Sequence, residues 1–183
     1  LQKLFLMPAG NPPHRQSTFA AAAHRVEMLR LAVESYPDLT VDDREVRRGG
    51  FSYMVDTLSE VRASLGADQP LLLLTGQDAV NQLDSWKDWQ RLFDLAHIVV
   101  MRRPDSIVEG SAMLQQELLP RTTLEFALLS SSPAGYVLPL EVTQLAISST
   151  DIRQRLEQKR SCRFLMPDKV IEYIQREGLY GAA

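Results

Sequence analysis

The sequence predicts an α/β fold, a doubly wound parallel sheet with helices on both faces. Three observations carry that expectation. Short apolar runs of strand length alternate with segments of helical periodicity along the chain. The run Leu71–Thr75 (LLLLT) is apolar without interruption until its last residue, as expected of a strand buried on both faces. And 183 residues, 45% of them hydrophobic, suffice for one domain with a substantial core.

The first strand is predicted at Lys3–Met7 (KLFLM), followed by a loop, PAGNPPHRQ, stiffened by Pro12 and Pro13. A helix follows over His24–Glu34, with Val26, Leu29 and Val33 on one stripe. Tyr36 and Pro37 end it, and LTVDD supplies a short strand. SYMVDTLSEVRASL reads as a helix with Val55, Leu58, Val61 and Leu65 on one side. After LLLLT, the segment from Gly76 to Ala96 reads as one or two helices, with Trp86, Trp89 and Phe93 at i, i+3, i+7. HIVVMRR is the fourth strand. A helix near Ser111–Leu119, a Ser-rich stretch (Ser130–Gly135) and a strand near Tyr136–Leu140 come next. A helix carrying Ile152 and Leu156 at i, i+4 and a last one over Asp168–Glu177 complete the pattern. There is no internal repeat, low-complexity region or convincing linker.

Composition narrows the function. A net charge of −3 argues against a general nucleic-acid binder but leaves room for an anionic small ligand held by local arginines. Cys162 is the single cysteine, so an internal disulfide is excluded and a reducing, cytoplasmic location is expected; the thiol itself is given no role. The longest apolar run is too short to span a bilayer, no signal peptide is visible, and no membrane partner is expected.

In parallel α/β sheets ligands gather at the carboxyl ends of the strands, so the residues just after each strand are the candidates. His14 and Arg15 follow the first strand, either as a solvated turn or as a loop that delivers an imidazole and a cation to a phosphorylated ligand. Asp78 in GQD after LLLLT is either a helix N-cap or a carboxylate for a ribose or a metal-bound nucleotide. Trp86 and Trp89 are either core or, for one of them, a platform for a flat ring. Arg102 and Arg103 form a cationic pair after the fourth strand, whereas His24 and His97 read as structural. Ser148, Ser149 and Thr150 precede Asp151, Ile152 and Arg153. That is one N-cap and two spare hydroxyls on a surface helix, or a phosphate cradle of hydroxyls, helix amides and an arginine.

Taken together, NPPHR, FSYMVDTL, LLTGQDAVNQLDSWKDWQRLFDLAHIVVMRRP, ISSTDIRQRL and LMPDKVIEYIQREGLY occur in an order that resembles the bacterial nicotinate-nucleotide adenylyltransferase family. Each motif alone is weak; five in order over nearly the whole chain are specific. The resemblance implies a Rossmann-like fold of the nucleotidyltransferase type and one domain over residues 1–183. It also implies adenylyl transfer from ATP, with Mg²⁺, to nicotinate mononucleotide in NAD biosynthesis, giving deamido-NAD and pyrophosphate. By the same resemblance Ser148, Ser149, Thr150 and Arg153 bind ATP, and His14, Arg15 and Asp78 are catalytic, on phosphate and nucleotide. Ser52, Tyr53, Thr57 and Trp86 would form the nicotinate pocket, with Arg103 on the substrate.

One family motif is missing. A Gly-rich turn reading roughly G-G-x-F-D-P-x-H-x-G-H, which carries the ATP-phosphate histidines, occurs nowhere in these residues. The sequence is therefore expected to start at the family's second strand, short of one strand–helix unit of about 30 residues, as judged from the size of a βαβ motif. Omission of that unit from an otherwise complete enzyme is favoured over a catalytically impaired nucleotide-binding fragment. A true fragment is expected to self-associate over the exposed sheet edges, which keeps a homodimer open. The remaining alternative is a related adenylyltransferase acting on nicotinamide mononucleotide or phosphopantetheine.

Overall fold

The structure is a computed structural model that describes residues 3–12, 20–102, 110–143 and 145–182. His14, Arg15 and Arg103 lie outside the described residues. The chain forms two compact units, residues 1–52 with 145–183, and residues 53–144.

In the first unit, β1 (Leu4–Leu6) pairs in parallel with β2 (Leu39–Val41), Leu4 opposite Leu39 and Leu6 opposite Val41. Between them runs α1 (Ala22–Val33), as the apolar spacing predicts. Of the expected stripe only Val26 is buried; Met28, Leu31 and Ala32 are the α1 residues that join the core. They pack with Ile152 and Leu156 of α8 (Ser149–Glu157) and with Val170 and Ile174 of α9 (Asp168–Arg176). In α9, Val170, Tyr173 and Ile174 recur at i, i+3, i+4, and burying each aliphatic side chain contributes about 1.5–3 kcal/mol. His24 Nδ1 lies 2.7 Å from the Tyr173 hydroxyl and holds α1 to α9, which makes His24 structural as expected. The sequence pattern overlooks α2 (Arg44–Arg48), because a five-residue helix is too short to display a period.

The second unit is a parallel sheet in the order β3 (Leu72–Gly76), β4 (His97–Arg102), β5 (Val137–Glu141). The register sets Leu72 opposite His97 and Ile98 opposite Val137. Ile98 and Val100 point to one face, where they meet Val55 and Leu58 of α3 (Met54–Leu65), Leu92 and Phe93 of α5 (Leu92–Leu95), and Leu114 and Leu118 of α6 (Ala112–Leu118). Val99 and Leu138 point to the other and meet Leu129 of α7 (Phe126–Ser131). Helices thus cover both faces, the doubly wound arrangement expected.

Several expectations are corrected. LLLLT is not buried on both faces; β3 is half-buried at the sheet edge, and the strand buried on both faces is β4. The helical reading of residues 76–96 breaks into α4 (Gln77–Val80), two 3-10 turns (Leu83–Ser85 and Trp89–Arg91) and α5. Asp88 takes a left-handed conformation, φ 49°, which no continuous helix accommodates. Within the Ser-rich stretch, Ser130 and Ser131 end helix α7.

His97 is fully buried, as the structural reading requires. Its Nδ1 accepts the Tyr136 N–H at 3.1 Å, which leaves the proton on Nε2 to donate to the Ser132 carbonyl at 2.9 Å. Arg62, in the last turn of α3, donates to the carbonyls of Leu95, Pro133 and Gln69 and so ties the end of α5 and two loops to one helix end.

Candidate active site

In the second unit, β3 delivers the GQD turn. Gly76 is the residue preceding α4, and Asp78 lies inside its first turn rather than at the cap. The carboxylate is exposed and no described residue donates a hydrogen bond to it or pairs with it, so the plain N-cap role is not what it performs. Beside it Gln77 donates from Nε2 to Asn81 Oδ1 at 2.8 Å, while its Oε1 is buried and finds no partner among the described residues. Asp78 thus presents an exposed acceptor just past a strand end, suited to a hydroxyl donor.

The tryptophans separate. Trp89 is 8% exposed and meets the Phe93 ring edge-on, centroids 6.2 Å apart. Trp86 is half-buried, at the end of the first 3-10 turn, with part of its surface open. Trp86 and Tyr53 pack on the same core cluster. Lys87 ties their segments together: its Nζ lies 4.6 Å above the Tyr53 ring and 3.4 Å from Asp56 Oδ2. Thr57, by contrast, is 0% exposed, so no face of it is open to a ligand here. Arg102 Nη2 is 3.2 Å from Glu141 Oε1 on the neighbouring strand, a cross-strand pair.

In the first unit, α8 resolves the three consecutive hydroxyls. Ser148 is the N-cap, its Oγ accepting the Asp151 N–H at 3.1 Å. Thr150 Oγ1 accepts from Arg153 Nη2 at 3.2 Å, and Ser149, exposed in the first turn, makes no hydrogen bond among the described residues. Asp151 is held one turn on by Arg155 at 2.7 Å, directing that carboxylate along the helix side. The first turn therefore offers a hydroxyl, backbone N–H groups and an arginine, a set matched to a phosphate.

Ser52, expected in the nicotinate pocket, has its hydroxyl engaged by the loop after β1: Oγ accepts the N–H groups of Gly10 at 3.0 Å and Asn11 at 3.1 Å. Arg25, Gln77 and Lys87 are absent from the sequence-based candidates. Only Lys87 carried a signal, as a cation directly after the candidate stacking tryptophan.

A surface cavity of about 580 Å³ lies beside the turn between α8 and α9, and none of the candidate residues lines it. Its charges are of mixed sign, with Arg163 Nε 3.7 Å from Asp168 Oδ1. Cys162 there is buried, and burial pushes its thiol pKa up, which disfavours the thiolate a nucleophile needs.

The cytidylyltransferase-like family profile matches residues 1–155. A protein of Marinobacter nauticus named a probable nicotinate-nucleotide adenylyltransferase is 45% identical over 182 residues, covering 100% of this chain and 84% of that protein. One of Methylococcus capsulatus with the same name is 45% identical over 181 residues, covering 98% and 86%. Among solved structures, Plasmodium falciparum nicotinic acid mononucleotide adenylyltransferase complexed with NaAD superposes with a TM-score of 0.70 at 14% identity, covering 100% of this chain and 84% of that one. That likeness is one of fold, Rossmann-like and of the nucleotidyltransferase type. With identity this high over the whole chain, these residues belong to the nicotinate-nucleotide adenylyltransferase family.

Proposed function

We propose that the chain transfers the adenylyl group of ATP to nicotinate mononucleotide, giving deamido-NAD and pyrophosphate in NAD biosynthesis. The observation that carries this is the 45% identity across 182 residues to a relative of that name. The acceptor's 5′-phosphate oxygen attacks the α-phosphorus of ATP in line. The bond from that phosphorus to the β-bridging oxygen breaks, and pyrophosphate leaves with the electron pair. No protein nucleophile takes part, so the residues act by positioning and charge neutralisation, and positioning alone is worth roughly 7–11 kcal/mol.

In this reading Ser149, Thr150, Arg153 and the first N–H groups of α8 take the ATP phosphates, with Ser148 capping the turn that presents them. Support comes from the exposed Ser149 hydroxyl and the nine-residue length of α8. His14 and Arg15 act on phosphate from the loop after β1, and Arg103 on the substrate. Asp78 accepts hydrogen bonds from the nucleotide. Tyr53 and Trp86 hold the nicotinate ring by stacking, with backbone amides on its carboxylate; the open face of Trp86 supports this.

Among the described residues no group of three or more His, Cys, Asp or Glu gathers to hold a metal ion. Mg²⁺ would reach the site together with the triphosphate of ATP. There it would supply charge neutralisation at the phosphates. No helix among the described residues is long and apolar enough to cross a membrane, and with the single buried Cys162 this favours the cytoplasm. We read residues 1–183 as one nucleotidyltransferase domain, supported by a family profile over residues 1–155.

Label tracing tests the reaction. With ATP labelled at the α-phosphorus, the label is expected in the dinucleotide; with label at the γ-phosphorus, in pyrophosphate. Label from the γ-position in the nucleotide product would mean phosphoryl transfer and would overturn the proposal.

A further inference from the structure

In the second unit, one lysine joins the turn after Trp86 to the start of α3. Lys87 directly follows Trp86, and its Nζ lies 4.6 Å above the Tyr53 ring. The same Nζ is 3.5 Å and 3.4 Å from the two carboxylate oxygens of Asp56, in the first turn of α3. Tyr53 and Trp86 pack on one core cluster, so cation, carboxylate and both rings share one neighbourhood.

The ion pair in that neighbourhood is loose. Charge-assisted N–H···O bonds settle at about 2.7–2.9 Å, as Arg155 does on Asp151 at 2.7 Å. Both Asp56 contacts are longer, and the Lys87 and Asp56 side chains are 44% and 42% exposed. A pair so placed adds little to stability. It also leaves an ammonium with three donors able to meet a further acceptor.

The acid and amide forms of the acceptor differ in the net charge of the ring. In both, the ring nitrogen bonded to ribose carries a permanent positive charge. The carboxylate of nicotinate mononucleotide cancels it, whereas in the amide it stands uncancelled. An ammonium beside the ring therefore attracts the carboxylate of the acid form and repels the amide form. A bare carboxylate in that place does the reverse. Lying against Asp56, Lys87 turns a surface that favours the amide into one that favours the acid.

We propose that the Lys87 side chain is a specificity-determining residue, selecting the acid form of the acceptor by covering Asp56 and setting a positive charge beside the ring. This rests on the reading above, in which Trp86 and Tyr53 receive the nicotinate ring. The charge acts in addition to the backbone amides and takes no part in the transfer itself.

The test measures kcat/KM for nicotinate mononucleotide and for its amide, at saturating ATP, in Lys87→Met, Lys87→Arg and Asp56→Asn. Methionine keeps the length and apolar stem of lysine without the charge. Lys87→Met is expected to lower the acid-to-amide ratio about five- to tenfold, the scale of an exposed charge interaction lost for one acceptor and relieved for the other. The change is expected in KM, in opposite directions for the two acceptors, with kcat nearly parental. Lys87→Arg is expected to keep the ratio within about twofold, because a guanidinium carries the same charge and also lies over aromatic faces. Asp56→Asn, which frees the ammonium, is expected to raise the ratio about two- to fivefold. Added salt is expected to shrink the parental ratio and to leave that of Lys87→Met flat. All three variants are expected to melt close to the parental temperature.

An equal change for both acceptors would make Lys87 a tie between its turn and α3 and would overturn the proposal. So would an unchanged ratio in Lys87→Met, or a Lys87→Arg variant that loses the preference as methionine does. A parental chain that releases no pyrophosphate with either acceptor would instead sink the function reading. Calorimetric dissociation constants for the two mononucleotides would then decide the role of Lys87 by the same ratios, and binding of neither would overturn both. If Lys87→Met fails to fold, the opposite shift expected of Asp56→Asn carries the test.

Discussion

Trp89 meets the Phe93 ring edge-on inside the second unit, whereas Trp86, three residues earlier, keeps part of its surface open at the end of a 3-10 turn. The sequence spacing puts both on one helical face, and the left-handed Asp88 between them is what separates their environments. Trp89→Phe is therefore expected to cost about 1–3 kcal/mol of stability, in the range of large-to-small core changes, with acceptor KM unchanged. Trp86→Leu is expected to leave the melting temperature nearly unchanged and to raise the KM for nicotinate mononucleotide about tenfold, in line with the loss of an aromatic contact of about 1 kcal/mol or more. A selective loss of acceptor affinity in the Trp89 variant would show that the wrong ring had been assigned. Which tryptophan is core was not legible, because a single non-helical residue cannot be read from a 3.6-residue period. That one of them is core was legible from aromatic spacing alone.

At the scale of elements, α8 shows how far local chemistry carries. Its cap, its Ile152–Leu156 stripe and its acidic first turn follow from residue types at fixed offsets, and all three are present. Three hydroxyls in a row divide into one that caps, one that accepts from Arg153 and one left open. Ser148→Ala is expected to lower stability by about 1 kcal/mol, the usual loss of an N-cap. Ser149→Ala is expected to change stability by less than about 0.5 kcal/mol, yet to raise the KM for ATP about tenfold through a lost hydrogen bond to charged phosphate. Melting curves and ATP kinetics on the pair check both. The reverse pattern, with Ser149 stabilising and Ser148 binding, would contradict the division. The elements that sequence reading missed, α2 and α7, are five and six residues long, below the length at which periodicity accumulates. The error over residues 76–96 has the opposite origin, since apolar residues at helical spacing can be buried just as well by consecutive 3-10 turns.

For the whole molecule, the alternation of strands and helices was enough to set parallel pairing and two covered faces. Strand order was not legible. LLLLT has the composition of a central strand, but β4 takes that place because it alone has partners on both sides in its sheet. The candidate residues were legible in kind, as groups that follow strands. Their surroundings were not: Ser52 Oγ accepts the Gly10 and Asn11 N–H groups, Thr57 is buried, and Asp78 is in a first turn rather than at a cap. Arg25 escaped notice because an arginine on a helix gives no sequence sign that it reaches two carbonyls of another loop.

In this reading the adenylyl group passes to the acid form of the pyridine nucleotide. Pyrophosphate release from ATP and Mg²⁺, measured with nicotinate mononucleotide and with its amide, tests it most directly. Release is expected with the acid form preferred in kcat/KM by about tenfold or more, the discrimination that follows when amides aimed at a carboxylate are left unpaired by the analogue. Preference for the amide, or no release with either acceptor, would contradict it.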